Sequence, residues 1–422
     1  MATATTGRAN LPLLGVDRAS LTASLESAAA GDADWLGRMA AGTNYPAGDD
    51  VLEVAREAYL RFFSTNGLLP GLFPSLARFE REVIDYAAGL LHGPAAVGSI
   101  TSGGSESILM GVKSARDRAR RIHPEISAPE MVVPVSAHPA FSKAAHYFGL
   151  RLVAAPLGPD HAIDVAAYRA AIGPNTVLLV GSAPNLTLGS VDPIADLAPI
   201  ALERDIGFHV DACVGGFFLP FVERLGYPVP RFDFRVPGVT TISADLHKFG
   251  YAAKGASVVL SRDANVFDHQ PFRYGGPDRP DDWDVTPSMT GTRPGGAIAA
   301  AWAVMTYLGE AGYLERTKAT MTYLRRWWDG VTAIDGLEVL GEPAMSVFAV
   351  ASQTIDMAAV ANGMEARGWI VFFDSHPVPA LRYMQSPGHE PHVDRYLADL
   401  RAVAEQVRRG ETTGEGVRAT YT

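Results

Sequence analysis

Between residues 131 and 260 the sequence switches repeatedly between short β-like runs and amphipathic helical ones, and this alternation constrains the fold more than any other feature. Met131–Val135, Arg151–Ala155, Thr176–Gly181 and Gly207–Val210 read as strands, with Phe141–Phe148, Val165–Ile172 and Ile194–Arg204 as the helices between them. Parallel strands need a long crossover, and a helix packed on the sheet supplies it. The expected class is α/β, with a mostly parallel sheet covered by helices on both faces. Val239–Ala244 and Ala256–Leu260 add two strands that flank a lysine-bearing loop.

Outside this region the periodicity changes. Residues 51–64 and 76–92 carry apolar positions at helical spacing. After Pro294 a long helical stretch runs to about Val331, followed by strands at Leu337–Leu340, Ser346–Ala351 and Trp369–Phe373 and a last helix, Asp394 to Arg409. This reads as a smaller α+β domain, and 422 residues suit two or three domains at roughly 150 residues each.

The formal charge of −10 argues against nucleic acid, which needs clustered Lys and Arg. Met1 to Asp17 has Arg8 as its only basic side chain and lacks the apolar core of a signal peptide. The apolar stretch Pro294 to Gly309 is too short for a membrane span, so no integral membrane segment is expected. Cys213 is the only cysteine, which excludes an intrachain disulfide and makes no case for a cysteine metal cluster; a reducing cytoplasm fits.

Three constellations can carry chemistry. Thr101-Ser102-Gly103-Gly104-Ser105-Glu106-Ser107 is a glycine-rich turn feeding a helix, where free backbone N–H groups and the helix dipole form a phosphate cradle; the plain alternative is a serine-capped turn. Asp211, in His209-Val210-Asp211-Ala212-Cys213, ends a buried strand where α/β sheets bind ligands and would need a cation such as a protonated pyridine; the plain alternative is a cap. Lys248 lies in Asp245-Leu246-His247-Lys248-Phe249-Gly250-Tyr251 with apolar and aromatic neighbours, and burial there should lower its pKa, as imine formation requires. Lys254 follows six residues later. Cradle, strand-end carboxylate and buried lysine, in that order on an alternating α/β chain, match the needs of pyridoxal 5'-phosphate.

At these residues the chain resembles the sphingosine-1-phosphate lyases, within the group II decarboxylase branch of fold-type I pyridoxal-phosphate enzymes. The resemblance spans about Gly42 to Arg409 and is carried by Thr101–Ser107, Ala137-His138-Pro139-Ala140-Phe141 with Lys143–Gly149, His209–Phe221, Ser243–Gly255 and Gly291-Thr292-Arg293-Pro294-Gly295. Its most specific piece is His-Lys-Phe-Gly-Tyr-Ala-Ala-Lys-Gly, from His247 to Gly255. The resemblance implies a large cofactor-binding domain at 61–305, a small C-terminal domain at 306–422, and an N-terminal segment at 1–60 that joins the active site and the dimer. It makes Lys248 the Schiff-base lysine and Asp211 the partner of the pyridine nitrogen. It stacks His138 on the cofactor ring, assigns the phosphate to Gly104, Ser105, Ser243 and His247, and sets Asn185 near the ring oxygen. Thr292 would reach the phosphate of the neighbouring subunit in a homodimer with shared sites. Tyr45 and Lys254 would work on the substrate.

The implied reaction is retro-aldol cleavage of a phosphorylated long-chain 2-amino-3-hydroxy compound to an aldehyde and phosphoethanolamine. The second reading is an amino-acid decarboxylase on the same scaffold. Two departures bear on the choice. Where the lyases read Asn-Pro-Leu-His-Pro-Asp, this chain has Asn66-Gly67-Leu68-Leu69-Pro70-Gly71, so Leu69 replaces a histidine near the substrate. The N-terminal membrane anchor of the eukaryotic lyases is not expected here either.

Overall fold

The computed structural model describes residues 11–34, 44–275 and 283–414. Its centre is a seven-stranded sheet: β1 (Val97–Thr101), β2 (Glu130–Pro134), β3 (Arg151–Ala155), β4 (Thr176–Ser182), β5 (Gly207–Asp211), β6 (Thr241–Ala244) and β7 (Ser257–Ser261), in the order β1-β7-β6-β5-β4-β2-β3. The run from β6 through β3 is parallel throughout, and β7 alone lies antiparallel to its neighbours β6 and β1. The α/β expectation therefore holds. β4 and β5 are buried at every position, as strands covered by helices on both faces must be. Tyr168, fully buried on a crossover helix, fastens two adjacent strands: its hydroxyl accepts from the Val180 N–H (2.9 Å) and faces the Val132 and Val180 carbonyls at 2.9 and 2.8 Å.

Registry aligns the site. Ser182, Asp211 and Ser243 lie side by side at the C-terminal edge of β4, β5 and β6. β1 ends at the same edge and feeds the helix Gly104–Ile122, while residues 245–256 form the loop that turns β6 into β7.

Beyond a two-stranded ribbon, β8 (Phe272–Gly275) and β9 (Trp283–Thr286), the helix Gly295–Thr332 runs on past the break at Gly309, where φ is +52°. It leads into a four-stranded antiparallel sheet, β10 (Glu338–Val339), β11 (Val347–Ala351), β12 (Phe372–Asp374) and β13 (Ala380–Met384), ordered β10-β11-β13-β12. Trp327 is buried here among Phe348, Tyr383 and Tyr396, with ring centroids 4.7–5.9 Å away. The strand expected at Trp369–Phe373 is shifted to Phe372–Asp374, since Trp369 packs on Tyr396 of the last helix and donates its indole N–H to Asp399. β13 itself was not anticipated, because Pro377 and Pro379 stand just before it and the charged Arg382 breaks its apolar run.

Candidate active site

At the aligned strand ends lies a cavity of about 340 Å³ lined by Ser102–Glu106, Ile108, His138, Pro184, Leu186, Asp211, Cys213, Val214, Asp245, His247 and Lys248. Lys248 Nζ stands 3.0 Å from Asp245 Oδ2, and His247 Nε2 is 3.6 Å from the same oxygen. The expectation of a depressed Lys248 pKa is corrected by this pair. Burial is the largest single influence and pushes the ammonium down, but Asp245, Tyr45, Cys213 and Asp211 together outweigh it and the net direction is up. Asp245's own desolvation raises it, but the Lys248 charge and hydrogen bonds from Ser257 and Lys248 help to bring it net below the usual carboxylate range. His247 is pushed down to about 4 by burial, with Asp245 opposing. Its Nδ1 accepts the Ala256 N–H at 3.2 Å, so the neutral ring carries its proton on Nε2, facing the cavity.

The glycine turn opens the 19-residue helix Gly104–Ile122 toward this cavity. A Cβ at Gly104 would come within 2.7 Å of both Asp245 carboxylate oxygens and 2.9 Å of Cys213 Sγ, so only glycine brings the helix N-terminus this close to the lysine loop. Glu106 locks the turn: Oε2 accepts from Ser102 N (2.7 Å) and Oγ (2.6 Å), and Oε1 from Met289 N at 2.7 Å. The remaining first-turn N–H groups, with the Ser105 hydroxyl, make an anion cradle.

Asp211 Oδ1 accepts from Cys213 N at 3.1 Å and lies 3.5 Å from Ser243 Oγ, and its side chain borders the cavity. His138, also on the cavity wall, accepts the Ala140 N–H on Nδ1 at 3.1 Å. Burial lowers its pKa, Asp211 opposing, so it presents a neutral, flat ring. Across His247 a second cavity of about 440 Å³ is walled by Tyr45, Pro46, Ala47, Val51, Leu52, Tyr251–Lys254 and Gly388. Lys254 Nζ donates to the His247 carbonyl at 3.2 Å and sits 5.1 Å over the Tyr45 ring. Desolvation, assisted by the Lys248 charge, pushes its pKa down to about 8. The Tyr45 hydroxyl lies 3.3 Å from Met384 Sδ and its ring packs edge-on against Phe249.

Lys248, Asp211, His138, Gly104, Ser105 and His247 are thus gathered at one cavity, with Tyr45 and Lys254 at the adjoining one. Three expected residues stand apart. Ser243 is fully buried and does not line the cavity; its hydroxyl lies against His209 and Asp211. Asn185 is tied into its own turn by Ser190 and the Leu188 N–H, leaving Pro184 and Leu186 as the cavity residues there. Thr292 accepts from Asn66 Nδ2 at 3.3 Å on the outer surface, close to Leu68 and Leu69, which are 37% and 45% exposed. Asp245, Glu106 and Arg382 were not singled out from sequence. Asp245 was visible as the only acid three residues before Lys248; Glu106 and Arg382 offered no local signal.

Arg382 is buried on β13, where its Nε donates to Asp374 Oδ2 at 2.7 Å. It borders a third cavity, about 180 Å³, that shares His138 and Leu186 with the first. Among the described residues no cluster of His, Cys, Asp or Glu could hold a metal ion, and no helix is long and apolar enough to cross a membrane. The residues present do fit pyridoxal phosphate. A helix N-terminus opened by Gly104, where a Cβ would meet Asp245 and Cys213, suits the phosphate, Asp211 a protonated ring nitrogen, His138 a ring face and Lys248 the aldehyde.

Comparison with known proteins agrees. The pyridoxal-dependent decarboxylase conserved domain matches residues 42–348. Sphingosine-1-phosphate lyase 1 of Rattus norvegicus is 38% identical over 96% of this chain and 72% of its own length. A probable L-tyrosine/L-aspartate decarboxylase of Methanothermobacter thermautotrophicus is 37% identical over 83% of this chain and 94% of its own. The solved sphingosine-1-phosphate lyase of Burkholderia pseudomallei superposes with a TM-score of 0.90 at 40% identity, covering 97% of this chain and 95% of that one. The chain therefore belongs to the pyridoxal-dependent decarboxylase family, among its sphingosine-1-phosphate lyase-like members, and its cofactor is pyridoxal 5'-phosphate.

Proposed function

We propose that this chain is a carbon–carbon lyase that cleaves a phosphorylated long-chain 2-amino-3-hydroxy compound to an aldehyde and phosphoethanolamine. The observation that carries the reading is the pairing of two cavities across His247: a polar one holding Lys248 and Asp211, and a largely apolar one holding Tyr45 and Lys254. Lys248 would anchor the cofactor, Gly104, Ser105 and His247 its phosphate, His138 its ring face and Asp211 its ring nitrogen. When bound, pyridoxal phosphate supplies the sink for the electron pair released as the Cα–Cβ bond breaks. Lys254, whose pKa near 8 leaves a substantial neutral fraction, takes the proton of the 3-hydroxyl. Tyr45 orients that lysine by its ring, and Pro46, Val51 and Leu52 keep water from an alkyl chain.

The domain division at 305/306 belongs to this proposal, as do a cytoplasmic setting and a homodimer. The exposed Leu68 and Leu69, which follow the Asn66 that bonds Thr292, and the exposed Leu72 support the dimer, and analytical ultracentrifugation tests it. A second reading, decarboxylation of an amino acid, is favoured by Arg382, a buried cation beside the His138 wall that suits a carboxylate. Incubating the cofactor-loaded protein with sphingosine 1-phosphate and, separately, with L-tyrosine and L-aspartate decides. Equimolar aldehyde and phosphoethanolamine is the expected result; carbon dioxide and amine without aldehyde would overturn it.

A further inference from the structure

Behind Asp211 lies a set of polar groups that the reaction as described does not use. His209, fully buried on β5, has Nδ1 2.8 Å from Thr241 Oγ1 and Nε2 3.2 Å from Ser243 Oγ. Ser243 Oγ in turn lies 3.5 Å from Asp211 Oδ1 and 3.3 Å from Cys213 Sγ. The ring occupies space kept open for it on the facing helix, since a Cβ at Gly111 would come within 2.6 Å of His209 Nδ1. We propose that Thr241, His209 and Ser243 form a directional hydrogen-bond relay that orients Asp211, making His209 and Ser243 positioning residues for the cofactor although neither lines its cavity.

The donor inventory sets the direction. Burial pushes His209 down to about 4, so the ring is neutral and has one N–H. In the proposed relay the Thr241 hydroxyl donates to Nδ1, so the ring's one proton is on Nε2 and is donated to Ser243 Oγ. The serine oxygen accepts from Nε2 and from the Cys213 thiol, so its single proton goes to Asp211 Oδ1. With the Cys213 N–H, Oδ1 then has two donors, and the second carboxylate oxygen is left for a donor in the cavity. The reverse arrangement would turn the Ser243 proton to His209 Nε2 and leave Oδ1 with the Cys213 N–H alone, whereas this direction gives Oδ1 its second donor.

This inference rests on Asp211 being the partner of the cofactor's ring nitrogen, so the test carries Asp211→Asn as its reference. The visible absorbance spectrum of the cofactor-saturated protein, the cofactor Kd, kcat and KM are measured for Ser243→Ala, His209→Gln and Asp211→Asn. The expected result is that Ser243→Ala alters the balance of the visible bands in the same direction as Asp211→Asn but less. It lowers kcat about ten-fold with KM within about two-fold. His209→Gln, which keeps an N–H donor, falls between Ser243→Ala and the unaltered protein. If Asp211→Asn departs from the unaltered protein while Ser243→Ala matches it in spectrum and kcat, the relay is wrong and the Asp211 assignment stands. If Asp211→Asn also matches, the assignment fails and takes the relay with it. Should Ser243→Ala lose the native far-ultraviolet circular dichroism, His209→Gln is read in its place, and a spectrum unchanged there overturns the relay.

Discussion

Lys254 gives the sharpest kinetic prediction. With an ordinary lysine pKa, about one molecule in a thousand would be neutral near pH 7.5; at about 8, roughly one in four is. A base with such a pKa produces a kcat/KM for aldehyde release that rises with pH and levels off above about 8. Replacing Lys254 by methionine, which keeps the stem against Tyr45, should lower kcat by about 100-fold or more and abolish that rising limb. Lys254→Arg keeps the positive charge but no neutral form, and should be equally impaired. The assay is aldehyde release between about pH 6 and 10, with cofactor saturation checked by absorbance. A limb that persists in Lys254→Met, or a Lys254→Arg enzyme retaining most of its kcat, would refute the base assignment and leave Lys254 as an anion-binding cation.

Other perturbations test neighbouring parts of the account. Asp245→Asn leaves Lys248 without its ion-pair partner, and the cofactor-free protein should lose about 3 kcal/mol of stability near neutral pH, read by chemical denaturation. The sign follows from both partners. Asp245 is depressed, so its share is present above its ordinary 3.8 and lost as pH falls below it; Lys248 is raised, so its share is present below its ordinary 10.5 and lost as pH rises above it. The gap between the two proteins should therefore be widest between those values and close outside them. Gly104→Ala forces the turn off Asp245 and Cys213 and should weaken cofactor binding at least about ten-fold in an absorbance titration, with a smaller loss of stability. Tyr168→Phe strips a hydroxyl from buried groups of β2 and β4 and should cost about 1–3 kcal/mol in urea unfolding without changing cofactor affinity.

The sheet was readable because β2, β4 and β5 are buried at every position and all four strands from β2 to β5 are separated by helices, so hydrophobic runs and periodicity reported them directly. β1 escaped because Val97-Gly98-Ser99-Ile100-Thr101 mixes glycine and hydroxyl residues, and its strand character comes from pairing with β7 far along the chain. The grouping of Lys248, Asp211 and the glycine turn was legible because each sits at a strand end and all those ends share one edge. Charge state was not. The direction of the Lys248 shift depends on a carboxylate at 3.0 Å, and one-dimensional burial logic gave the opposite sign. Ser243 shows the same limit: its cross-strand neighbour Asp211 and the ring of His209, not its place near Lys248, decide where its hydroxyl points.

The claim on which the rest depends is that Lys248 carries the cofactor. Reducing the cofactor-loaded protein with borohydride traps the lysine–cofactor linkage, and peptide mass spectrometry then locates it. The added mass is expected on the peptide containing Lys248, with none recovered from Lys248→Ala and no visible cofactor band in that variant. Added mass on Lys254 or elsewhere in the unaltered protein, or a visible band retained in Lys248→Ala, would contradict it.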